Sequence, residues 1–273
     1  MSGVDQQFSR LRSAGRKAFV PFITAGDPDL EFTAALIREL AARGSSLCEV
    51  GLPYSDPIAD GPVIQASYTR ALEAGIRLEG IWDMLRRVAS AVDLPLVTMV
   101  SYATVFRQGL ARFVSEARGA GVAGAIVPDL LVEESAELAE LCRREDFSLI
   151  QLVTPTTPRD RALRIAEASS GFLYYVSVTG ITGERDSVPA QLADEVGWLR
   201  ERSSLPICIG FGISRPEHVR ALAPVADGLI VGSALVRHLA DVPRAGRDQV
   251  QRQIGQLAAD LIAALDGSVN CRS

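Results

Sequence analysis

The chain has 273 residues, of which 48% are hydrophobic and 22% are charged, so it can bury a large core and need not be disordered. Its net charge of −5 gives no basic footprint for nucleic acid or an anionic membrane, and no apolar run approaches the roughly 20 residues that span a bilayer. The first residues lack the apolar centre of a signal peptide, so we expect a cytoplasmic protein.

Eight short apolar segments rich in Val, Ile and Phe alternate with longer amphipathic segments, as in repeated βα units around a parallel sheet. An extra helix is predicted over 4–15, before the first strand, and a closing helix over about 245–266. Eight units in a chain of this length predict a single-domain (β/α)₈ TIM barrel over 1–273, with its core at about 17–242. The predicted strands are 18–24, 47–52, 96–102, 124–128, 149–154, 172–178, 206–210 and 228–232.

Residue types suited to metal or nucleophilic chemistry are scarce. The two histidines, His218 and His238, lie in predicted helices, so no metal site is expected. Lys17, the single lysine, opens the first strand at the end away from a barrel's active site, which argues against a Schiff base. The cysteines form no CxxC pair, and we expect buried thiols rather than a zinc site or disulfides: Cys48, Cys142, Cys208 and Cys271.

Two carboxylates stand where a barrel places its active site. Glu49 lies inside the apolar second strand, and if it points into the barrel its pKa should rise into the range useful for proton transfer. The alternative is a side chain that reaches an outer face or pairs with an arginine. Asp60 follows in a loop, where an Asp is equally suited to a structural turn. Together the two carboxylates can contact one substrate from two sides and act on it without a metal.

Glycine-containing segments follow the seventh and eighth predicted strands, at 210–214 and 232–234. Many barrels bind phosphate there, because backbone N–H groups next to glycine can approach an anion closely. Tight turns without a ligand are the alternative. A long polar segment after the sixth strand, 178–192, has the composition either of a mobile lid or of an ordinary surface loop.

Specific segments along almost the whole chain resemble one family, the tryptophan synthase alpha chains. They are FVPFITAGDPD, EVGLPYSDPIADGPVIQ, IVPDL, YYVSVTGITG, GFGIS and VGSALV. The resemblance implies an aldol-type cleavage of indole-3-glycerol phosphate to indole and glyceraldehyde 3-phosphate. It further implies an α₂β₂ tetramer, in which a β chain carrying pyridoxal phosphate joins the indole to serine. No cofactor is expected on this chain.

The same resemblance implies roles for individual residues. Glu49 would move protons at the indole C3 and the glycerol hydroxyl, and Asp60 would hold the indole N–H and stabilise positive charge on the ring. Phe22 and Tyr174 would lie beside the substrate, and Thr182 would belong to the lid over Asp60. The residues around the phosphate would be Gly183, Phe211, Gly212, Gly232 and Ser233.

The sequence departs from the family pattern at two positions. Thr104 stands where an Asn is typical and Leu131 where a Pro is common, whereas Pro53 and Asp56 are retained. In the family these positions lie near the surface that meets the β chain, so the departures bear on partner affinity more than on chemistry.

Three rival interpretations stay open. One is a stand-alone lyase of the same family that releases free indole, which titration with a β chain would test. Another is a catalytically silent barrel that serves as a binding or activating subunit, against which Glu49 and Asp60 argue. The third is a different phosphate-binding barrel, whose known types lack the segment from Glu49 to Asp60.

Overall fold

The computed structural model describes residues 1–57, 60–177, 190–210 and 212–269, without the side chains of Ala190 and Val269. Its nine strands are all parallel and follow the spatial order β5-β4-β3-β2-β1-β9-β8-β7-β6. The strands are β1 (Ala18–Thr24), β2 (Cys48–Gly51), β3 (Leu96–Met99), β4 (Val122–Ile126), β5 (Ser148–Ile150), β6 (Leu152–Val153), β7 (Leu173–Val176), β8 (Ile207–Gly210) and β9 (Gly228–Val231).

The two ends of this strand order meet at Gln151. This residue alone separates β5 from β6, so the nine strands form a nearly closed ring that corresponds to the eight predicted strands. The predicted fifth strand, 149–154, is therefore broken at Gln151, where the chain leaves its pairing with β4 and joins β7. The predicted (β/α)₈ barrel is confirmed.

Helices surround the ring between successive strands. They are α1 (Gly3–Ser13), α2 (Leu30–Ala42), α3 (Pro62–Glu73), α4 (Leu78–Ala89), α5 (Tyr102–Gln108), α6 (Leu110–Gly119), α7 (Ala136–Arg144), α8 (Arg159–Ala168), α9 (Ala190–Arg200), α10 (Pro216–Leu222), α11 (Ser233–Val236), α12 (Val242–Ala245) and α13 (Arg247–Val269). The described residues also include two 3₁₀ helices, Val132–Glu134 and Arg237–Asp241.

The predicted extra helix is α1, which begins with a capping box. Ser2 accepts from the backbone N–H of Asp5, and the Asp5 carboxylate accepts from that of Ser2, so two otherwise unpaired donors are satisfied. The predicted closing helix is α13, which runs three residues further than expected, to Val269. The prediction for the third strand was too long, because Ser101 caps α5 and turns the chain into a helix at Tyr102.

The core lies inside the ring and between the ring and its helices. Every residue of β1 is buried, as expected of a parallel strand covered on both faces. Three of the cysteines are free and buried, in agreement with the sequence-based expectation, and Cys271 lies outside the described residues. Lys17 donates to the carbonyl of Ala226 at the amino-terminal end of the ring, far from the carboxyl ends that carry the site.

Candidate active site

A cavity of about 250 Å³ opens at the carboxyl ends of the strands, where barrels of this type place their active sites. It brings together residues that are far apart in sequence, from strands β1, β2, β3, β7 and β9 and from the loops and helices that follow β2, β8 and β9. Its walls are formed by Phe22, Glu49, Asp60, Gly61, Pro62, Val63, Ile64, Met99, Tyr174, Gly212, Ile230, Gly232, Ser233 and Arg237.

Glu49 projects from β2 into this cavity and is completely buried. Neither carboxyl oxygen has a hydrogen-bond partner among the described residues, so no arginine neutralises it. Burial, followed by the nearby charge of Asp60, raises the pKa of Glu49 to about 8. The alternative of an outward or arginine-paired side chain is therefore wrong, and Glu49 is held as a neutral acid at pH 7.

Asp60 reaches the same cavity from the loop between β2 and α3. Burial raises its pKa to about 6, although a hydrogen bond from Tyr54 lowers it. The Tyr54 hydroxyl donates to Oδ2 of Asp60 over 3.3 Å. At neutral pH most of Asp60 is thus ionised while Glu49 keeps its proton. Two carboxyl groups with separated pKa values in one site can divide the roles of acid and anion between them.

The neighbouring Asp56 has a different environment. It is exposed, and its Oδ2 accepts from the Ser55 hydroxyl over 2.8 Å. This contact fits the loop-bracing role that its position in a turn suggests, and Asp56 does not line the cavity.

Phe22 and Tyr174 form the aromatic walls. Phe22 pairs in register with Glu49 across β1 and β2, so the ring and the carboxyl group belong to the same layer. Glycines on the neighbouring strands leave room for both rings. A Cβ on Gly51 would lie 2.5 Å from Cζ of Phe22, and one on Gly210 would lie 2.5 Å from the hydroxyl of Tyr174. A flat aromatic substrate can therefore be held against two rings.

The glycine segments form another part of the wall, with Gly212, Gly232 and Ser233 exposed to the cavity. Gly212 has a positive φ of 74°, a conformation that other residues rarely adopt, so the turn after β8 depends on this glycine. These positions can direct backbone N–H groups and the Ser233 hydroxyl at an anion.

Arg237 also lines the cavity, and the sequence interpretation missed it. It is the one cationic side chain among the described residues that do so. The available signal was its spacing: Arg237 lies four residues after Ser233, and residues four apart share one face of a helix.

Three predicted site residues, Thr182, Gly183 and Phe211, lie outside the described residues, and so does 178–189 of the predicted lid. The last part of that segment is described and differs from the prediction. Residues 190–192 belong to α9, so the loop is shorter than expected at its carboxyl end.

The described part of the chain contains no group of three or more His, Cys, Asp or Glu side chains placed to hold a metal ion. Among the described residues that line the cavity, the buried polar atoms without partners are the two carboxyl oxygens of Glu49, and one carboxyl group is not a metal-binding set.

Another groove is lined by Pro53, Asp56, Thr104 and further residues of the chain. Two large apolar side chains are exposed: Phe106 on α5 is 69% accessible, and Leu131 in the loop after β4 is 52% accessible. Thr104 shares a hydrogen bond with Ser101 at the start of α5. Exposed large apolar side chains are typical of a protein contact surface.

Comparisons with known proteins agree with this geometry. A sequence model described as tryptophan synthase alpha chain matches residues 8–264. The chain is 55% identical over 278 residues to the tryptophan synthase alpha chain of Rhodopirellula baltica, covering 98% of this chain and all of that one. The solved structure of tryptophan synthase subunit alpha from Legionella pneumophila superposes with a TM-score of 0.90 at 32% identity, covering 98% of this chain and 99% of that chain.

A further similar structure was determined from a complex. It is described as the tryptophan synthase a2b2 complex of Pyrococcus furiosus and superposes with a TM-score of 0.83 at 33% identity. The match covers 91% of this chain and 99% of that chain.

Proposed function

Because the chain belongs to the tryptophan synthase alpha chain family, we propose that it cleaves indole-3-glycerol phosphate to indole and glyceraldehyde 3-phosphate. The observation that carries this proposal is the pair of carboxyl groups with separated pKa values, Glu49 and Asp60, in one cavity with a glycine-rich wall. The reaction breaks one carbon–carbon bond and needs a proton to enter at one atom and leave from another.

Glu49 supplies the proton. Because its pKa is about 8, the carboxyl group is protonated at neutral pH and can protonate C3 of the indole ring. The resulting carboxylate then takes the proton of the hydroxyl on the carbon bonded to C3. The bond between this carbon and C3 breaks, its electron pair returns to the ring, and the carbon becomes the aldehyde. Glu49 ends protonated, as it began, but it now carries the proton of the hydroxyl, while its original proton is on C3 of the indole.

Asp60 stabilises the intermediate between these steps. Protonation at C3 places positive charge on the ring nitrogen, and an ionised carboxylate that accepts the indole N–H lowers the energy of that cation. Phe22 and Tyr174 hold the ring, while Gly212, Gly232, Ser233 and Arg237 receive the phosphate. We assign Thr182, Gly183 and Phe211 to the same substrate contacts by their positions in the family motifs.

The partner is a tryptophan synthase β chain, and the assembly is an α₂β₂ tetramer. Support comes from the similar Pyrococcus furiosus structure, described as an a2b2 complex, and from the exposed apolar side chains of Phe106 and Leu131. The β chain joins the released indole to serine and holds the pyridoxal phosphate, and this chain holds no cofactor of its own. A stand-alone lyase is not favoured, because the matched relatives are tryptophan synthase alpha chains.

The proposed role in tryptophan synthesis also indicates the cellular location of the enzyme. In the described residues, no helix is both long and apolar enough to cross a bilayer. We place the enzyme in the cytoplasm, where amino-acid biosynthesis supplies its substrate, and we take 1–273 as one functional domain.

The test is direct. Purified chain is incubated with indole-3-glycerol phosphate, and indole and glyceraldehyde 3-phosphate are measured separately. Equal amounts of both products support the proposed reaction, and no indole above the uncatalysed rate refutes it. A second titration adds a β chain: a strong increase in the lyase rate indicates the synthase subunit, and an unchanged rate indicates the stand-alone enzyme.

A further inference from the structure

Tyr54 lies in the loop after β2, between the two carboxyl groups in sequence. Its hydroxyl is 3.3 Å from Oδ2 of Asp60, and among the described residues this is the one hydrogen bond to that carboxyl group. Its ring packs against Tyr68 of α3, with ring centres 5.4 Å apart. Tyr54 therefore connects Asp60 to the buried side of α3 through a hydrogen bond and a ring contact.

The hydrogen bond acts on a carboxyl group that its surroundings push towards the neutral form. Burial raises the pKa of Asp60, and the hydrogen bond from Tyr54 lowers it. Burial and the charges of Asp60 and Asp129 raise the pKa of Tyr54 well above its usual range. The phenol therefore keeps its proton and donates across the whole pH range in which Asp60 titrates.

We propose that Tyr54 is a positioning residue for the lyase reaction, which holds the Asp60 carboxylate charged and directed at the ring nitrogen of the substrate. The inference rests on the proposed function, because it assigns Tyr54 a role through Asp60. A hydrogen bond to an ionised group is stronger than one to a neutral group, so the contact favours the carboxylate. Phenylalanine at this position would keep the ring contact with Tyr68 and lose only the donor.

Other titratable or charged groups near Asp60 and Tyr54 also influence the titration of Asp60. Glu49 on β2 becomes negatively charged only above about pH 8, and Arg237 adds positive charge from the 3₁₀ helix after α11. The remaining groups that interact with Tyr54 or Asp60 are Tyr68 on α3, Tyr174 on β7 and Asp129 after β4. Tyr54→Phe leaves all of them in place.

The test compares the pH dependence of kcat/KM for indole release by the wild type and Tyr54→Phe. Loss of one hydrogen bond to a charged group raises the midpoint of the acid limb by about one pH unit. The ratio of the rates at pH 6 and pH 7.5 then falls about four-fold relative to the wild type. A purely structural defect would lower the rate at both pH values by the same factor. The matched control is Tyr175→Phe, which removes the hydroxyl that donates to Glu195 outside the cavity.

A second measurement does not depend on turnover. The Asp60 carboxyl group is followed by ¹³C NMR titration in both proteins, and the proposal requires a higher midpoint in Tyr54→Phe. An active wild type with unchanged acid limb and unchanged Asp60 titration in the variant overturns the inference and leaves the proposed function intact. Absence of indole release by the wild type refutes the proposed function itself, whatever the variant does.

Discussion

Glu49 on β2 pairs in register with Phe22 on β1, so a completely buried carboxyl group shares its layer of the barrel with an aromatic ring. This apolar setting explains why the carboxyl group is held neutral: nothing among the described residues donates a hydrogen bond to it. The same setting makes Glu49 costly for the folded state whenever it must ionise.

Stability should therefore depend on pH through Glu49. The pKa rises from 4.5 to about 8 on folding, so the folded protein binds the extra proton and loses stability as pH rises from 4.5 towards 8. Glu49→Gln removes this penalty. We expect nearly equal urea midpoints for variant and wild type near pH 4.5, and a variant more stable by about 4 kcal/mol at pH 8. A difference that does not change with pH would show that Glu49 ionises freely.

The rate should follow a bell-shaped pH profile. Asp60 must be ionised and Glu49 must be protonated, so kcat/KM should rise through about pH 6 and fall through about pH 8. Asp60→Asn should have a low rate and no acid limb near pH 6. A wild-type profile that is still rising at pH 9 would contradict the assignment of Glu49 as the acid.

Arg237 should contribute to phosphate binding. Substitution by glutamine removes the one cation that lines the cavity among the described residues, and we expect KM for the substrate to rise about ten-fold with little change in kcat. Inhibition by inorganic phosphate should weaken in parallel. Arg244→Gln is the matched control, because Arg244 is 85% exposed and pairs with Asp241 over 3.1 Å away from the cavity. Equal effects of the two substitutions would rule out a specific contact.

The ion pair between Asp27 and Arg70 should matter for stability. Asp27 is 1% exposed after β1, and Arg70 of α3 binds it through Nη2 at 2.5 Å and Nε at 3.1 Å. Arg70→Met leaves a buried carboxylate without its cation, which should lower the free energy of unfolding by about 3 kcal/mol. The exposed pair of Arg87 and Glu31 provides the control, and Arg87→Met should cost less than about 1 kcal/mol in the same denaturation experiment.

Much of the fold could be predicted from the sequence, because the signal for each strand is local. Apolar runs separated by amphipathic segments and turns identify the βα units without knowledge of their contacts. The exceptions depend on tertiary structure. The break at Gln151 results from a change of neighbouring strand, from β4 to β7, which nothing in the run LIQLVT indicates. Likewise, Ser101 ends the third strand early by capping a helix.

The site was predictable where its residues stand in a distinctive segment. Glu49 attracts notice because a carboxylate is costly in an apolar strand, and the glycines because they follow strands at the phosphate end of a barrel. Nothing in the sequence identifies Arg237 or Tyr54 as a site residue, because arginine is common on helices and tyrosine is common in loops. Only the path of the chain brings Arg237 to the cavity and the Tyr54 hydroxyl to Asp60.

The most direct test of the proposed chemistry is the rate of indole release by Glu49→Gln beside the wild type. The amide fills the same space but cannot give or take the proton, so we expect the rate to fall by about three orders of magnitude in a folded protein. Glu133→Gln, at an exposed site paired with Arg161, should keep the full rate. Near-normal turnover by Glu49→Gln would contradict the central role of this carboxyl group.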